Sequence, residues 1–225
     1  MFNVKCNVST EWKFLLQQEK AIAVIRASSF AEGLGCAEAV AKAGMKLIEI
    51  TWNSHQPAEL VAELRVRLPH CIVGVGTILT IADCQKAIAS GAQFAFSPHC
   101  DPSIIKYCLQ QQIPCVPGAL SPTEIVNAYN AGASAVKVFP VSAMGGANYI
   151  KSLKAPLSNV PLIPTGGVTL DNAAEMISAG AMAVGLSGAL FPAYLLKKQD
   201  YKKISHRASK LMSQLRQDKT FSSDR

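Results

Sequence analysis

Ala131-Gly132-Ala133-Ser134-Ala135-Val136-Lys137-Val138-Phe139-Pro140 reads as the end of a helix followed directly by a buried strand. Glycine just past a helix takes the left-handed conformation that stops it. Ala135, Val136, Val138 and Phe139 are apolar, and Pro140 ends the run. Lys137 lies inside that run. An ammonium in an apolar interior is costly, so a lysine there tends to shed its proton, and a neutral amine attacks carbonyls. The other reading is a strand-end lysine whose stem lies along apolar surface and whose head reaches water. The segment alone leaves both open.

The same punctuation recurs outward from this stretch. Ala43-Gly44, Ser90-Gly91 and Ala179-Gly180 are also small residue plus glycine, each followed within a few residues by an apolar run. The predicted strands cover residues 21–26, 46–51, 71–75, 93–97, 113–116, 135–140, 160–164 and 181–185. Helix starts are marked between them. Ser29-Phe30-Ala31-Glu32 and Ser121-Pro122-Thr123-Glu124 have the spacing of capping boxes, and Asp101-Pro102 pairs an N-cap with proline at the first helical position. Eight short, continuously apolar strands alternating with helices call for a parallel sheet covered by helices. In 225 residues they suit an α/β fold, a single (β/α)8 TIM barrel. A helix over 9–18 precedes it, and a basic helical tail follows. We expect the barrel domain over 1–199 and the tail over 200–225. An open doubly wound sheet is the runner-up, but Gly74-Val75-Gly76-Thr77 lacks the third glycine of a dinucleotide fingerprint.

Composition narrows the function classes. No apolar run reaches the ~18 residues of a membrane span, and the N-terminus has no apolar leader, so no membrane partner is expected. Seven scattered cysteines without a C-x-x-C pair read as reduced thiols in a cytoplasmic protein. The net charge of +7 is concentrated from Lys197 onward, where nine basic residues face three acidic ones. A tail with one tyrosine and one phenylalanine offers little for base stacking, so no nucleic-acid partner is expected. The four histidines, His55, His70, His99 and His206, show no metal-ligand spacing.

A barrel carries its chemistry at the carboxyl ends of the strands. There stand Arg26, Glu49 and Thr51, Gly76 and Thr77, Ser97 and His99, Lys137, Thr165-Gly166-Gly167 and Ser187-Gly188. Glu49, between Ile48 and Ile50, points opposite to them, and an inward carboxylate near an inward lysine is a base–nucleophile pair. The alternative for Glu49 and for Arg26 is a rim ion pair. As a functional group, Arg26 would grip a carboxylate. The glycine turns at 165–168 and 185–188 are expected to open the helices after strands seven and eight, where barrels bind phosphate.

From about Ala21 to Phe191 the chain resembles the 2-keto-3-deoxy-6-phosphogluconate (KDPG) aldolase / 4-hydroxy-2-oxoglutarate (KHG) aldolase family. The resemblance rests on Ala23-Val24-Ile25-Arg26, Ile48-Glu49-Ile50-Thr51, Gly74-Val75-Gly76-Thr77, Ser97-Pro98-His99, Pro117-Gly118, Lys137-Val138-Phe139-Pro140 and Pro164-Thr165-Gly166-Gly167-Val168, in the family's order. It implies a class I aldolase on a (β/α)8 barrel, a homotrimer without metal or cofactor, acting on a 2-keto acid with pyruvate as product in the Entner-Doudoroff pathway. By similarity Lys137 is the Schiff-base lysine and Glu49 the proton shuttle. Thr77 and Pro98 shape the pyruvyl pocket and Phe139 packs against it, while Arg26, Thr51, Thr165, Gly166, Gly167, Ser187 and Gly188 complete the substrate contacts. Two positions depart from the pattern. Asn53 stands where some members carry the carboxylate-binding arginine, which passes that role to Arg26. Ser187-Gly188 replaces the frequent Gly-Ser, moving the hydroxyl by one residue. Other phosphate-binding barrels, an isomerase or a thiamine-phosphate-synthase-like transferase, are the alternative.

Overall fold

The computed structural model describes residues 7–217. Residues 1–6, including Cys6, and residues 218–225 of the basic tail lie outside the described residues. Strands β1 (Ala21–Ile25), β2 (Leu47–Thr51), β3 (Ile72–Gly76), β4 (Ala95–Phe96) and β5 (Cys115–Val116) run parallel side by side. β6 (Gly118–Ala119), β7 (Val136–Val138) and β8 (Leu162–Pro164) form a second parallel run, and β9 (Val184–Leu186) pairs with β1. Two seams join them into a closed barrel. β5 and β6 are one strand interrupted at Pro117, which has no N–H to donate. Its carbonyl still accepts from Lys137 N at 2.9 Å, and Cys115 O accepts from Ser134 N at 2.9 Å. At the other seam Met182 N donates to Leu162 O at 2.9 Å, and Thr165 bridges to Gly185. The eight-stranded barrel expected from the sequence is therefore present. Its fifth strand runs past the predicted end, through the break at Pro117, because the Pro117 carbonyl still pairs with Lys137 N, and the eighth lies further along the chain, at Val184–Leu186.

Alternation sorts the strand residues into two layers. Ala23, Ile25, Ile48, Ile50, Val73, Val75, Val136, Val138, Leu162 and Val184 face the surrounding helices. Ile22, Val24, Leu47, Phe94, Phe96, Val116, Ala135, Ile163 and Ala183 form a separate cluster inside the barrel. Trp12 and Leu16 of helix α1 (Asn7–Glu19) complete that cluster at the amino-terminal ends of the strands. Trp12 meets Phe94 at a tilt of 38° with ring centres 5.0 Å apart, and Phe94 meets Phe96 edge-on at 5.6 Å. The leading helix is thus a floor. Gly74 leaves the room that Phe94 fills, since a Cβ there would lie 2.4 Å from the ring.

The outer helices begin where the caps place them. In α2 (Phe30–Lys42) Ser29 accepts from Glu32 N, but the Glu32 carboxylate turns to Ser28 N at 2.8 Å, so only half of the expected box forms. In α6 (Pro122–Asn130) the Ser121–Glu124 box is complete. Asp101 caps α5 (Pro102–Gln110) through Ser103 N. The helix-ending glycines 44, 91, 132 and 180 all have positive φ. The basic segment folds as α10 (Tyr201–Gln217), which buries Ile204, Ala208, Leu211, Met212 and Leu215. It packs on α2, where a Cβ at Gly35 would strike the Tyr201 ring. Lys202, Lys203, Lys210 and Arg216 are exposed.

Candidate active site

Lys137 is the inward residue of β7, paired in register with Gly118 on one side and Ile163 on the other. It is 5% exposed. Its Nζ stands 5.8 Å from the centre of the Phe96 ring and 5.0 Å from that of Phe139. Among the described residues no carboxylate forms an ion pair with it. The amine rests between ring faces inside the barrel, so the reading in which its head reaches bulk water is set aside.

Glu49 is the inward residue two positions after Leu47 on β2, and it is 1% exposed. Its Oε1 is buried with no hydrogen-bond partner. Burial pushes its carboxyl up from the ordinary value of 4.5, and the charges of Lys137 and then Arg26 pull the other way. A buried acid held back from ionising suits proton transfer near neutral pH. The rim ion-pair reading fails on the same burial. Arg26 directly follows β1 and is exposed at the barrel mouth.

The supporting groups explain how these side chains are held. Ser54 Oγ accepts from Ala27 N at 3.1 Å and shares a hydrogen with Thr51 Oγ1 at 3.1 Å, while His55 N donates to Ala27 O at 2.9 Å. Ala27, the residue after Arg26, is thereby held at both its N–H and its carbonyl. Thr51 is fully buried with its hydroxyl turned to Ser54. Thr77 has φ +58. For a β-branched residue that is a true outlier, held here by Trp52 N on Gly76 O and by Ile78 N on Phe96 O.

Pro98 is pressed against β6: a Cβ on Gly118 would lie 2.3 Å from its carbonyl carbon and oxygen. Gly118 is the register partner of Lys137, which brings Pro98 to the amine's side of the mouth. Ser97 Oγ accepts from His99 N and donates to His99 O, tightening that turn, and lies 2.9 Å from His99 Nδ1. The Phe139 ring is 36% exposed and lies against Gly166. Beside it opens a cleft of about 490 Å³, lined by Pro98, His99, Gly118, Glu124 and Phe139.

Thr165 ends the neighbouring strand. Its Oγ1 is buried without a partner, and a Cβ on Gly185 would lie 2.5 Å from it. Gly166 (φ +80) and Gly167 (φ +86) turn the chain in a conformation that other residues resist. This turn does not open the next helix. Thr169 and Asn172 cap each other's backbone N–H groups before α8 (Ala173–Ser178) begins. After β9, Ser187 O accepts from Leu190 N and Phe191 N at 2.9 Å each, and α9 (Ala193–Lys197) starts only after Pro192. The expected helix openings at 165–168 and 185–188 are therefore free-standing turns at the mouth. A Cβ at Gly188 would meet nothing within 4 Å. Ser54, and the use of Gly76 as space for Glu49, were missed from the sequence. A serine three residues beyond Thr51 was the only local sign.

An amine kept out of water beside a buried carboxylate, in the mouth of a closed parallel barrel, is the equipment of an imine-forming aldolase. The family model described as KDPG and KHG aldolase matches residues 13–207. The chain is 31% identical over 190 residues to the 2-dehydro-3-deoxy-phosphogluconate aldolase of Treponema pallidum, covering 84% of this chain and 90% of that one. It is 35% identical over 163 residues to the enzyme of that name from Haemophilus influenzae, covering 72% of this chain and 77% of that one. A solved native KDPGal structure superposes with a TM-score of 0.82 at 30% identity, covering 89% of this chain and 96% of that one. The chain belongs to the KDPG and KHG aldolase family; it is a lyase.

Proposed function

We propose that the chain cleaves KDPG to pyruvate and glyceraldehyde 3-phosphate, and 4-hydroxy-2-oxoglutarate to pyruvate and glyoxylate, through a Schiff base on Lys137. The observation that carries the assignment is the buried Lys137 amine, which has no ion-pair partner among the described residues and shares the barrel interior with a buried Glu49. Arg26, at the mouth, takes the substrate carboxylate bidentately. The Lys137 amine adds to the C2 ketone, Glu49 gives its proton to the departing hydroxyl, and water leaves behind an iminium. The C3–C4 electrons flow into that iminium as Glu49, directly or through water, takes the C4 hydroxyl proton. The aldehyde leaves, Glu49 returns the proton to C3 of the enamine, and water releases pyruvate and the free amine.

Phe139, Thr77 and Pro98 wall the pyruvyl end. The unpartnered Thr165 hydroxyl faces the same chamber, and Thr51 supports Arg26 through Ser54. The N–H groups of the turns at Gly166-Gly167 and Ser187-Gly188 hold the phosphate. The family resemblance extends the reading to a homotrimer in the cytoplasm, which sedimentation and fractionation test. The decisive experiment is reduction with borohydride in the presence of pyruvate, followed by peptide mass analysis. A reduced pyruvyl adduct on Lys137, with cleavage of KDPG by the untreated protein, is expected; labelling elsewhere, or none, overturns the assignment.

A further inference from the structure

We infer that Arg207 is a positioning residue for the phosphate end of the substrate, acting through the turn Ser187-Gly188-Ala189. The inference rests on the reading of that turn as a phosphate grip. Arg207 belongs to α10, the last helix, far along the chain from the strand-end residues. Its Nε and Nη2 both donate to the carbonyl of Ala189, at 2.9 and 2.7 Å. Two donors from one planar group fix that peptide in direction as well as position.

Among the described residues the other hydrogen bonds of the turn run to Ser187 O, one of them from the N–H of the same Ala189–Leu190 peptide. Ser187 O accepts from Leu190 N and Phe191 N, and the side chains of Leu190 and Phe191 are buried below it. Between these anchors Gly188 faces open space and has no side chain to brace it. The guanidinium fixes the Ala189–Leu190 peptide on its carbonyl side, which leaves the turn around Gly188 less freedom. Among the described residues no carboxylate pairs with Arg207. A half-buried cation bound to this turn, with no carboxylate partner among the described residues, favours an anion held by the turn's N–H groups. This arrangement meets the departure at Ser187-Gly188, because a rigid and positively backed turn can grip phosphate through backbone donors wherever the hydroxyl stands.

The test measures KM for KDPG and for 4-hydroxy-2-oxoglutarate in the wild type, in Arg207→Met, which keeps the length of the stem, and in Arg207→Lys, which keeps the charge without the fork. Discrimination is the ratio of the two KM values, and competition by inorganic phosphate provides a second readout. We expect Arg207→Met to lower the discrimination about ten-fold, about 1.4 kcal/mol. The fall comes from KM for KDPG and is accompanied by weaker phosphate competition, with pyruvate trapping on Lys137 retained. Arg207→Lys is expected to fall between the two. Discrimination within two-fold of wild type in Arg207→Met overturns the inference. If that variant does not fold, Arg207→Lys decides alone: an unchanged ratio overturns the inference and a lowered one supports it. Failure of the parent reading looks different: the wild type itself would show no preference for the phosphorylated substrate and no competition by phosphate.

Discussion

A Cβ on Gly76 would stand 1.7 Å from Oε1 of Glu49, so the absence of a side chain on β3 is the space in which the carboxylate of β2 sits. Gly76 pairs in register with Thr51, two residues beyond Glu49 on the adjacent strand. Gly76→Ala should therefore displace the acid without touching the lysine. We expect kcat for KDPG cleavage to fall about 10²-fold, the lower end of a general acid–base contribution, while borohydride trapping of pyruvate persists. Cleavage within two-fold of wild type would show that Glu49 can function from another position.

Three lysines should separate cleanly. Lys137→Ala removes the buried amine, and we expect no trapping, no cleavage and a melting temperature at or above that of wild type. Lys154 serves a different end: its Nζ donates to the carbonyls of Leu157, Ser158 and Val160 just past its own helix. Lys154→Ala should trap pyruvate normally yet lose about 1–3 kcal/mol of stability, the cost of leaving polar groups unpaired. Lys151 is exposed, and Lys151→Ala should match wild type in both assays. Trapping by Lys137→Ala would remove the Schiff-base assignment.

Glu49 makes a prediction about stability and pH. Its folded-state carboxyl lies above the ordinary 4.5, with burial as the main cause. Above 4.5 the folded chain therefore holds a proton that the unfolded chain has released, and stability falls as pH rises through this window. Glu49→Gln removes that dependence. In urea melts at a series of pH values, the variant should gain on wild type as pH rises above 4.5 and lose the advantage below it. A constant difference across the series would contradict the raised carboxyl. The same variant should be inactive in cleavage.

Ser54→Ala takes the acceptor from Ala27 N and the partner from Thr51. A buried donor left unpaired costs about 1–3 kcal/mol, and the peptide after Arg26 is freed. We expect that loss in a denaturation curve, together with a raised KM for both keto acids and little change in kcat. Ser54→Thr, which keeps the hydroxyl, should restore KM. An unchanged KM in a destabilised Ser54→Ala would mean that Arg26 needs no such support.

The barrel was legible because its signals are local. Glycine ends helices, serine, threonine and aspartate begin them, and short apolar runs lie between. What escaped was what neighbours decide. Pro117 ends a strand when read alone, but the strand continues because its carbonyl still serves Lys137 N. The glycine turns near 166 and 187 looked like helix openings, since the spacing to α8 and α9 depends on caps at Asn172 and Pro192. The inward placement of Glu49 could be read from strand periodicity, and the roles proposed for Lys137 and Glu49 rest on family likeness. Ser54 and Arg207 could not, because each acts on a peptide far from its own functional neighbours: Arg207 meets Ala189 across 18 residues of chain.

The floor laid by Trp12 and Leu16 of α1 has a kinetic consequence. With one end of the barrel filled by indole and leucine, the described residues leave Lys137 facing the mouth at the carboxyl ends of the strands. On the proposed mechanism the aldehyde then leaves through that mouth before water frees pyruvate, so we expect product inhibition to show ordered release, with pyruvate loaded first in the reverse synthesis.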